Sequence, residues 1–255
     1  SGIAVDVKRE YYKEIENFLI DLNLPVTLID LIPGDITGDL IAVIPSVILS
    51  ENSGKENEPG ISFGKEYIII KNDIRYAKYD VRPERKGILV LSGGSSLPSP
   101  ELLKELSAIK NNGITFIAGP LANERKYEQL LKEAGFGESD LVVNPPSIAD
   151  YYKSCEVAVT VFGVTVYELM HLGVPAVIYD SFKESDLKII KHLDEKNLCV
   201  NAAGLLKVQG AVRAIIESLL EDKGRIAEIS ANAAEFIDGH GAERIAGLIC
   251  RNSKQ

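Results

Sequence analysis

The segment from Ser154 to Asp180 constrains the fold most, because it contains a complete strand, turn, helix and second strand. The apolar run Val157 to Val161 is typical of a buried strand, and it breaks at Gly163. Apolar residues with helical spacing begin at Thr165, and a second apolar run covers Pro175 to Tyr179. This alternation predicts two parallel strands joined by a crossover helix.

Two interpretations of Thr165 and Glu168 remain open from their spacing. Thr165 stands where a helix N-cap is expected, and Glu168 three residues later completes a Thr-x-x-Glu capping box. The same helix start, at the carboxyl end of a parallel strand, also offers free N–H groups and a positive dipole end to a phosphate. A carboxylate on its first turn is then placed to accept hydrogen bonds from ribose hydroxyls. One side chain cannot do both, so only one interpretation of Glu168 can hold.

A second glycine-containing loop follows another predicted strand. Ile88 to Leu91 is apolar, and Ser92-Gly93-Gly94-Ser95-Ser96 comes directly after it. Glycines at this place let a ligand approach the backbone and let N–H groups form an anion nest. A Gly-Gly pair alone is a weak signal, and it gains weight because Gly163 is predicted at the same edge of the sheet.

These motifs together resemble a known family. Thr165-Val166-Tyr167-Glu168-Leu169 followed by Leu172-Gly173-Val174-Pro175 is similar to the nucleotide-binding signature of GT-B proteins related to glycosyltransferase family 28. Within that group the chain most resembles the nucleotide-sugar hydrolases of pseudaminic acid biosynthesis. The resemblance implies a nucleotide-sugar site that is formed by the following residues: Gly93, Gly94, Ser95, Ser96, Ile148, Gly163, Val164, Thr165 and Glu168.

The resemblance also implies a role for each part of this site. Gly163, Val164 and Thr165 would hold the diphosphate, and Glu168 would bind the ribose. Gly93 to Ser96 would match the strand-Gly-Gly loop of the family, and a backbone group at Ile148 would recognise uracil.

Two further matches and three departures follow from the same resemblance. Asp6 with Gly64 and Tyr67, and Asp238-Gly239-His240-Gly241 with Arg244, match weaker signatures, and for Gly64 and Tyr67 a purely structural role is the favoured interpretation. The glycine-rich loop with a catalytic histidine has no counterpart, so we expect the first part of the N-terminal domain to be absent from this sequence. Phe162 replaces a loop glycine, and the Lys183 to Lys188 segment replaces the sugar-binding glutamine pattern.

The predicted fold class is α/β of the GT-B type. A shortened Rossmann-like domain is expected over residues 1–85 and a doubly wound parallel sheet over 86–255, with the final helix returning toward the first domain. Val81 to Lys86 is the expected link between the two domains.

Composition limits the classes of partner. A net charge of −9 without a basic block argues against nucleic acid, and no run of about 18 apolar residues indicates a membrane span. The three cysteines, Cys155, Cys199 and Cys250, have no ligand spacing and favour a reducing compartment, so a cytoplasmic protein without metal or cofactor is expected.

A catalytic base is not identified by the sequence. Acid–base chemistry favours histidine, and the chain has His171, His192 and His240. His171 falls inside a predicted helix, and we expect a satisfied or exposed helix residue there. His240, flanked by glycines, is the weak candidate.

Three functions therefore remain open. The first is an enzyme of cell-surface glycan biosynthesis that hydrolyses a UDP-sugar or transfers its sugar. The second is a non-catalytic module that holds UDP or a UDP-sugar and needs a partner chain, which would supply the missing N-terminal half. The third is a fold without a ligand, in which the capping box and the glycines serve only stability.

Overall fold

A computed structural model describes residues 2–6, 9–21, 24–31, 40–48, 59–78, 84–109 and 113–252. Tertiary contacts divide the chain into two compact units, which we call unit 1 (1–70 with 238–255) and unit 2 (71–237). The strands are β1 (Ile3–Val5), β2 (Val26–Ile29), β3 (Leu40–Ile44), β4 (Ile61–Phe63), β5 (Ile88–Leu91), β6 (Ile114–Ala118), β7 (Leu141–Val143), β8 (Val157–Val161), β9 (Ala176–Asp180) and β10 (Val200–Asn201). The helices are α1 (Arg9–Asp21), α2 (Asn72–Ala77), α3 (Pro100–Ser107), α4 (Glu124–Glu133), α5 (Ala149–Ser154), α6 (Val164–His171), α7 (Asp186–Glu195), α8 (Ala211–Glu221), α9 (Lys223–Phe236) and α10 (Gly241–Asn252).

Unit 1 is a four-stranded parallel sheet in the order β1-β2-β3-β4. Its core is formed by apolar side chains of the sheet together with Tyr12 and Leu19 of the amphipathic helix α1. The C-terminal helix α10 contacts β2 and the 3-10 turn Lys65–Tyr67. The end of the sequence is therefore part of the same compact unit as its beginning.

Unit 2 is a six-stranded parallel sheet in the order β10-β9-β8-β5-β6-β7. The two central strands, β5 and β8, are buried along their whole length, as expected for a parallel sheet covered on both faces. Helices α3, α4 and α8 contribute to the core on one face, with Leu102, Tyr127 and Ile216 fully buried. The predicted α/β class and the parallel sheet are confirmed.

The expected and observed boundaries of the two parts of the chain differ at one place. Residues 71–78 and 84–85, which were expected in the first domain, belong to unit 2, in which α2 packs against α5 and α6. The last part of the chain forms two helices, α9 and α10, which are separated at Gly239, whose φ is +81°. Residues 81–83 of the expected link lie outside the described residues.

Candidate functional site

The two glycine loops of unit 2 follow neighbouring strands. β5 pairs with β8 in parallel, with Leu91 opposite Thr160, so the loops that begin at Ser92 and at Phe162 leave the same edge of the sheet side by side. From β5 the chain proceeds outward through β6 and β7, and then returns to the other side of β5 with β8, β9 and β10. The strand order therefore reverses between β5 and β8. In doubly wound sheets, ligands bind at the carboxyl ends of strands at this kind of switch point.

The helix α6 begins two residues earlier than an N-cap at Thr165 predicts. Its N-cap is Gly163, which has no side chain to cap the helix, and Val164 is its first residue. Thr165 is therefore not the N-cap, and the predicted capping box with Glu168 is wrong. In the described part of the chain, the N–H groups of Val164 and Thr165 have no hydrogen-bond acceptor. These two donors and the dipole of the helix are available to an anion.

The space around this helix start is open. A Cβ atom built on Gly163 or on Gly94 meets no described atom within 4 Å. Val164, the next residue, is 58% exposed. Phe162 does not obstruct the approach: it is 7% exposed and packs edge-on against Tyr167, with ring centroids 5.9 Å apart. The bulky residue at the position of a family glycine is thus accommodated in the core.

The loop after β5 is held in place by contacts with Tyr179, Phe182 and Leu121. Ser92 is buried and accepts a hydrogen bond from the hydroxyl of Tyr179 at 3.3 Å. Gly93 has φ +93°, which favours glycine, and the ring of Phe182 lies 3.5 Å from the position of its missing Cβ. The carbonyl of Gly94 accepts the N–H of Leu121 at 3.1 Å. Gly94 and Ser95 are exposed, and Ser96 is half-buried.

The side chain of Glu168 is buried inside unit 2. It is 4% exposed, and its Oε2 accepts a hydrogen bond from the hydroxyl of Tyr152 at 3.2 Å. Burial raises the pKa of the Glu168 carboxyl, while the charge of Lys71 and the Tyr152 hydrogen bond act in the opposite direction. Among the described residues, Oε1 has no hydrogen-bond partner. One oxygen of the carboxylate therefore has a hydrogen-bond partner within unit 2, and the other is able to accept a hydrogen bond from a ligand.

Ile148 is the N-cap of α5, with φ −79° and ψ −22°. Its carbonyl accepts the N–H of Tyr152 at 3.1 Å, and its own N–H has no acceptor in the described part of the chain. A backbone donor of this kind is able to read the edge of a base. α5 contacts α2, which also contacts α6, so the three helices form one packed group in unit 2.

The histidine on α6 is not placed to act as a catalytic base. His171 is fully buried on α6, and its two ring nitrogens face the carbonyl oxygens of Ile237 and Arg75 at 3.0 and 3.3 Å. The expectation of a satisfied helix residue is therefore met by His171. His192 is half-buried on α7. His240 belongs to unit 1, and its side chain is 47% exposed, so its role remains a prediction.

The C-terminal signature is explained by structure within unit 1. The guanidinium of Arg244 donates to both oxygens of Asp238, at 2.9 and 2.6 Å, and to the carbonyl of Glu66 at 2.9 Å. A Cβ on Gly241 would overlap the backbone of Ile68. The glycine and the arginine together fix α10 against the turn that follows Gly64, which supports the structural interpretation of Gly64 and Tyr67.

Three residues of unit 2 have roles that the sequence analysis missed: Tyr152, Phe182 and Arg85. The guanidinium of Arg85 donates to the carbonyl of Leu172 at 2.9 Å and to that of Gly173 at 2.5 Å, and so supports the C-terminal end of α6. None of these contacts has a local sequence signal, because each joins residues that are 16 or more positions apart.

Within the described ranges, no group of three or more His, Cys, Asp or Glu side chains is placed to hold a metal ion. The helices of this same part of the chain include none with the length and apolarity needed to cross a membrane.

Comparisons with known proteins identify the fold. No protein-family model matches the sequence. An uncharacterised protein of Methanocaldococcus jannaschii is 28% identical over 136 residues, which are 49% of this chain and 28% of that protein. The match thus spans less than a third of that relative.

Two solved structures are similar over almost the whole chain. A glycosyltransferase from Rickettsia africae aligns with a TM-score of 0.64 at 10% identity, over 99% of this chain and 75% of its own. MnaA of S. aureus in complex with UDP aligns with a TM-score of 0.62 at 12% identity, over 96% of this chain and 74% of its own. The chain has the GT-B fold. In GT-B terms, unit 2 carries the sheet whose switch point holds the two glycine loops.

Proposed function

We propose that this GT-B protein binds a uridine diphosphate sugar at the switch point of unit 2, and that it hydrolyses the sugar or transfers it to an acceptor. The observation that carries this proposal is the uncapped start of α6. Its two donors, at Val164 and Thr165, lie at the carboxyl end of a central strand beside open space at Gly163.

The diphosphate is the part of the ligand that this geometry suits best. Two free backbone N–H groups and the dipole of α6 attract negative charge without a cation, so the acidic net charge of the protein is no obstacle. The neighbouring loop from Gly93 to Ser96 presents exposed backbone on the same edge of the sheet. In a hydrolase or a transferase, the same donors stabilise the charge that develops on the leaving diphosphate.

The proposed contacts for the nucleoside come from α5 and α6. The unused N–H of Ile148 supplies a backbone contact for uracil, and Oε1 of Glu168 supplies an acceptor for the ribose hydroxyls. That MnaA of S. aureus has this fold and was solved with UDP adds to the case for a uridine nucleotide.

A second candidate is a nucleotide-sugar-binding module that depends on a partner chain for catalysis. The observation that favours it is the state of His171, the histidine closest to the site in sequence, which is fully buried with both ring nitrogens against backbone carbonyls. A side chain held in this way is not placed to transfer a proton to a substrate. The hydrolase or transferase would need another base, for which His240 is the weak candidate.

Titration calorimetry with UDP tests the site, and Glu168→Ala with a matched control tests its assignment. We expect UDP to bind the unmodified protein and Glu168→Ala to weaken binding by about 10- to 100-fold, as for the loss of a hydrogen bond to a charged group. The control is Glu105→Ala, which removes another buried carboxylate of unit 2, 7% exposed, away from the loops. Equal loss of affinity in both variants, or no UDP binding at all, would refute the proposed site.

Release of UDP from UDP-N-acetylglucosamine then separates enzyme from module. Release in water alone indicates a hydrolase, and release only with an added acceptor indicates a transferase. Binding without release under either condition favours the non-catalytic module.

A further inference from the structure

We infer that Tyr152 is the positioning residue for the ribose-binding carboxylate, and that it sets the preference of this site for ribose over deoxyribose. The inference rests on the proposed function, because it concerns the same nucleotide site. Its basis is a pair of contacts made by one residue on α5.

The first contact joins Tyr152 to the carboxylate. The Tyr152 hydroxyl donates to Oε2 of Glu168 at 3.2 Å, and the two residues are 1% and 4% exposed. In a buried setting of this kind, a carboxylate with a single fixed donor has little freedom to rotate. The hydrogen bond therefore holds Oε2 on Tyr152 and leaves Oε1, which has no partner among the described residues, as the oxygen for a ligand hydroxyl.

The second contact joins Tyr152 to the residue proposed for the base. The N–H of Tyr152 donates to the carbonyl of Ile148 at 3.1 Å, in the first turn of α5. Tyr152 thus links the start of α5, the proposed contact for the base, to the carboxylate on α6, the proposed contact for the ribose. The backbone contact is an ordinary helix hydrogen bond, so the part of this link that depends on the tyrosine side chain is its hydroxyl contact with Glu168.

The protonation of Tyr152 suits a permanent donor. Burial, and next the negative charge of Glu168, raise the pKa of the Tyr152 hydroxyl, so it remains protonated at any physiological pH. The hydroxyl also interacts with that of Thr165, which brings the diphosphate-binding end of α6 into the same network. The charged groups that face Glu168 are Lys71 and Asp73, which shift its pKa in opposite directions.

The test compares UDP with 2′-deoxy-UDP in three proteins. The unmodified protein is expected to prefer UDP by about tenfold or more, since the 2′-hydroxyl donates to a charged acceptor. In Tyr152→Phe the preference should fall to within about threefold, while the affinity for 2′-deoxy-UDP stays within about twofold of the unmodified protein. Tyr151→Phe, which removes a hydroxyl from the adjacent residue of the same helix, should keep the full preference.

Two further readouts separate positioning from packing. In the Glu168→Ala background, Tyr152→Phe should cause no additional loss of UDP affinity, because the two substitutions remove the same contact. The hydrogen bond from Tyr152 lowers the pKa of Glu168, so its removal raises that pKa. As the pH is lowered, Glu168 should therefore become protonated, and UDP affinity should decrease, at a higher pH in Tyr152→Phe than in the unmodified protein.

The outcomes distinguish the inference from the function on which it rests. Failure of the unmodified protein to bind UDP overturns the proposed function and this inference together. UDP binding with an unchanged preference in Tyr152→Phe overturns this inference alone. A loss of affinity for both nucleotides by the same factor also overturns it, because that result describes a loosened fold rather than a misplaced carboxylate.

Discussion

Two carboxylates of unit 2 are equally well buried and are used in opposite ways. Glu105, on α3, places Oε1 at 2.7 Å from the N–H of Gly210 and Oε2 at 3.1 Å from the N–H of Arg213. Both of its oxygens therefore cap the start of α8. Glu168, on α6, has one oxygen on a tyrosine hydroxyl, and its pKa is raised by burial.

The starts of α8 and α6 differ in how their backbone donors are used. The α8 start receives a carboxylate from within the protein, and α3, α4 and α9 have side-chain caps from Ser99, Asn123 and Asp222. The α6 start has a glycine N-cap and two donors without acceptors in the described part of the chain. The starts of α2, α5 and α7 also lack a side-chain cap, so the missing cap alone does not mark a site. The α6 start differs because it follows a glycine at the carboxyl end of a central strand, where doubly wound sheets bind ligands.

The largest effect on stability is expected from Glu105→Ala. The substitution leaves two backbone N–H groups at the α8 start without an acceptor, so the free energy of unfolding should fall by about 2–3 kcal/mol. Urea unfolding measures this loss, and Glu101→Ala, an exposed carboxylate on the same helix, is the control. A loss below about 0.5 kcal/mol would contradict the structural role assigned to Glu105.

The next largest effect concerns affinity, and it comes from Gly163→Ala. A Cβ at this position meets no described atom within 4 Å, and the backbone is extended, so stability should change by less than about 0.5 kcal/mol. The methyl group enters the space in front of the α6 donors, so UDP should bind at least about tenfold more weakly, a difference of about 1.4 kcal/mol by calorimetry.

The control for this prediction is Gly113→Ala. Gly113 precedes β6, at the opposite edge of the same sheet, and a Cβ there also meets no described atom within 4 Å. If UDP affinity falls equally in the two variants, the open space at Gly163 is not the ligand site.

The sequence predicted the strands and loops of this site but not the use of its charged residues. β5, β8 and β9 fall where the apolar runs placed them, and the loops after β5 and β8 leave the same edge of the sheet, as expected. The role of Glu168 could not be decided, because the same spacing fits a capping box and a ligand contact. The observed N-cap, Gly163, lies two residues before Thr165, and this excludes the capping box.

The missed features share a physical cause. The partner of Glu168 lies 16 residues away and that of Glu105 lies more than 100 residues away, and neither pairing has a periodic pattern. The short helix α2, with six residues, carries too few turns for its apolar spacing to be recognised. The two pairings and the helix α2 all depend on tertiary contacts, which a single sequence does not show directly.

A smaller effect is expected from Glu168→Gln, and it should depend on pH. Burial raises the pKa of Glu168, so its contribution to stability is complete below the pKa of the unfolded chain and is lost as the pH rises through the folded value. The glutamine variant should match the unmodified protein at pH 4 and be the more stable of the two at pH 8. Thermal unfolding at both pH values measures the difference.

The matching experiment uses Glu105→Gln, which should lower stability at pH 8 because the carboxylate is the better acceptor for two backbone donors. Opposite signs for the two glutamine variants sharpen the contrast between the two carboxylates. A loss of stability at pH 8 in Glu168→Gln as well would remove that contrast.

The smallest effect is expected from Asp238→Asn in unit 1. Asp238 resembles Glu105 because both of its oxygens are paired, and it differs because its side chain is 46% exposed. The hydrogen bond from Arg244 lowers the pKa of Asp238 to about 2. Its contribution to stability is therefore present above the unfolded value of about 3.9 and is lost as the pH falls through about 2.

Because solvent screens an exposed ion pair, the cost of Asp238→Asn at neutral pH should stay below about 1 kcal/mol and shrink with added salt. Urea unfolding at low and high salt measures it, with Glu14→Gln, an exposed carboxylate on α1 of the same unit, as the control for a simple change of charge. A salt-independent loss as large as that of Glu105→Ala would show that exposure does not separate these carboxylates. Burial would then not explain why the fully paired carboxylates of Glu105 and Asp238 contribute differently to stability.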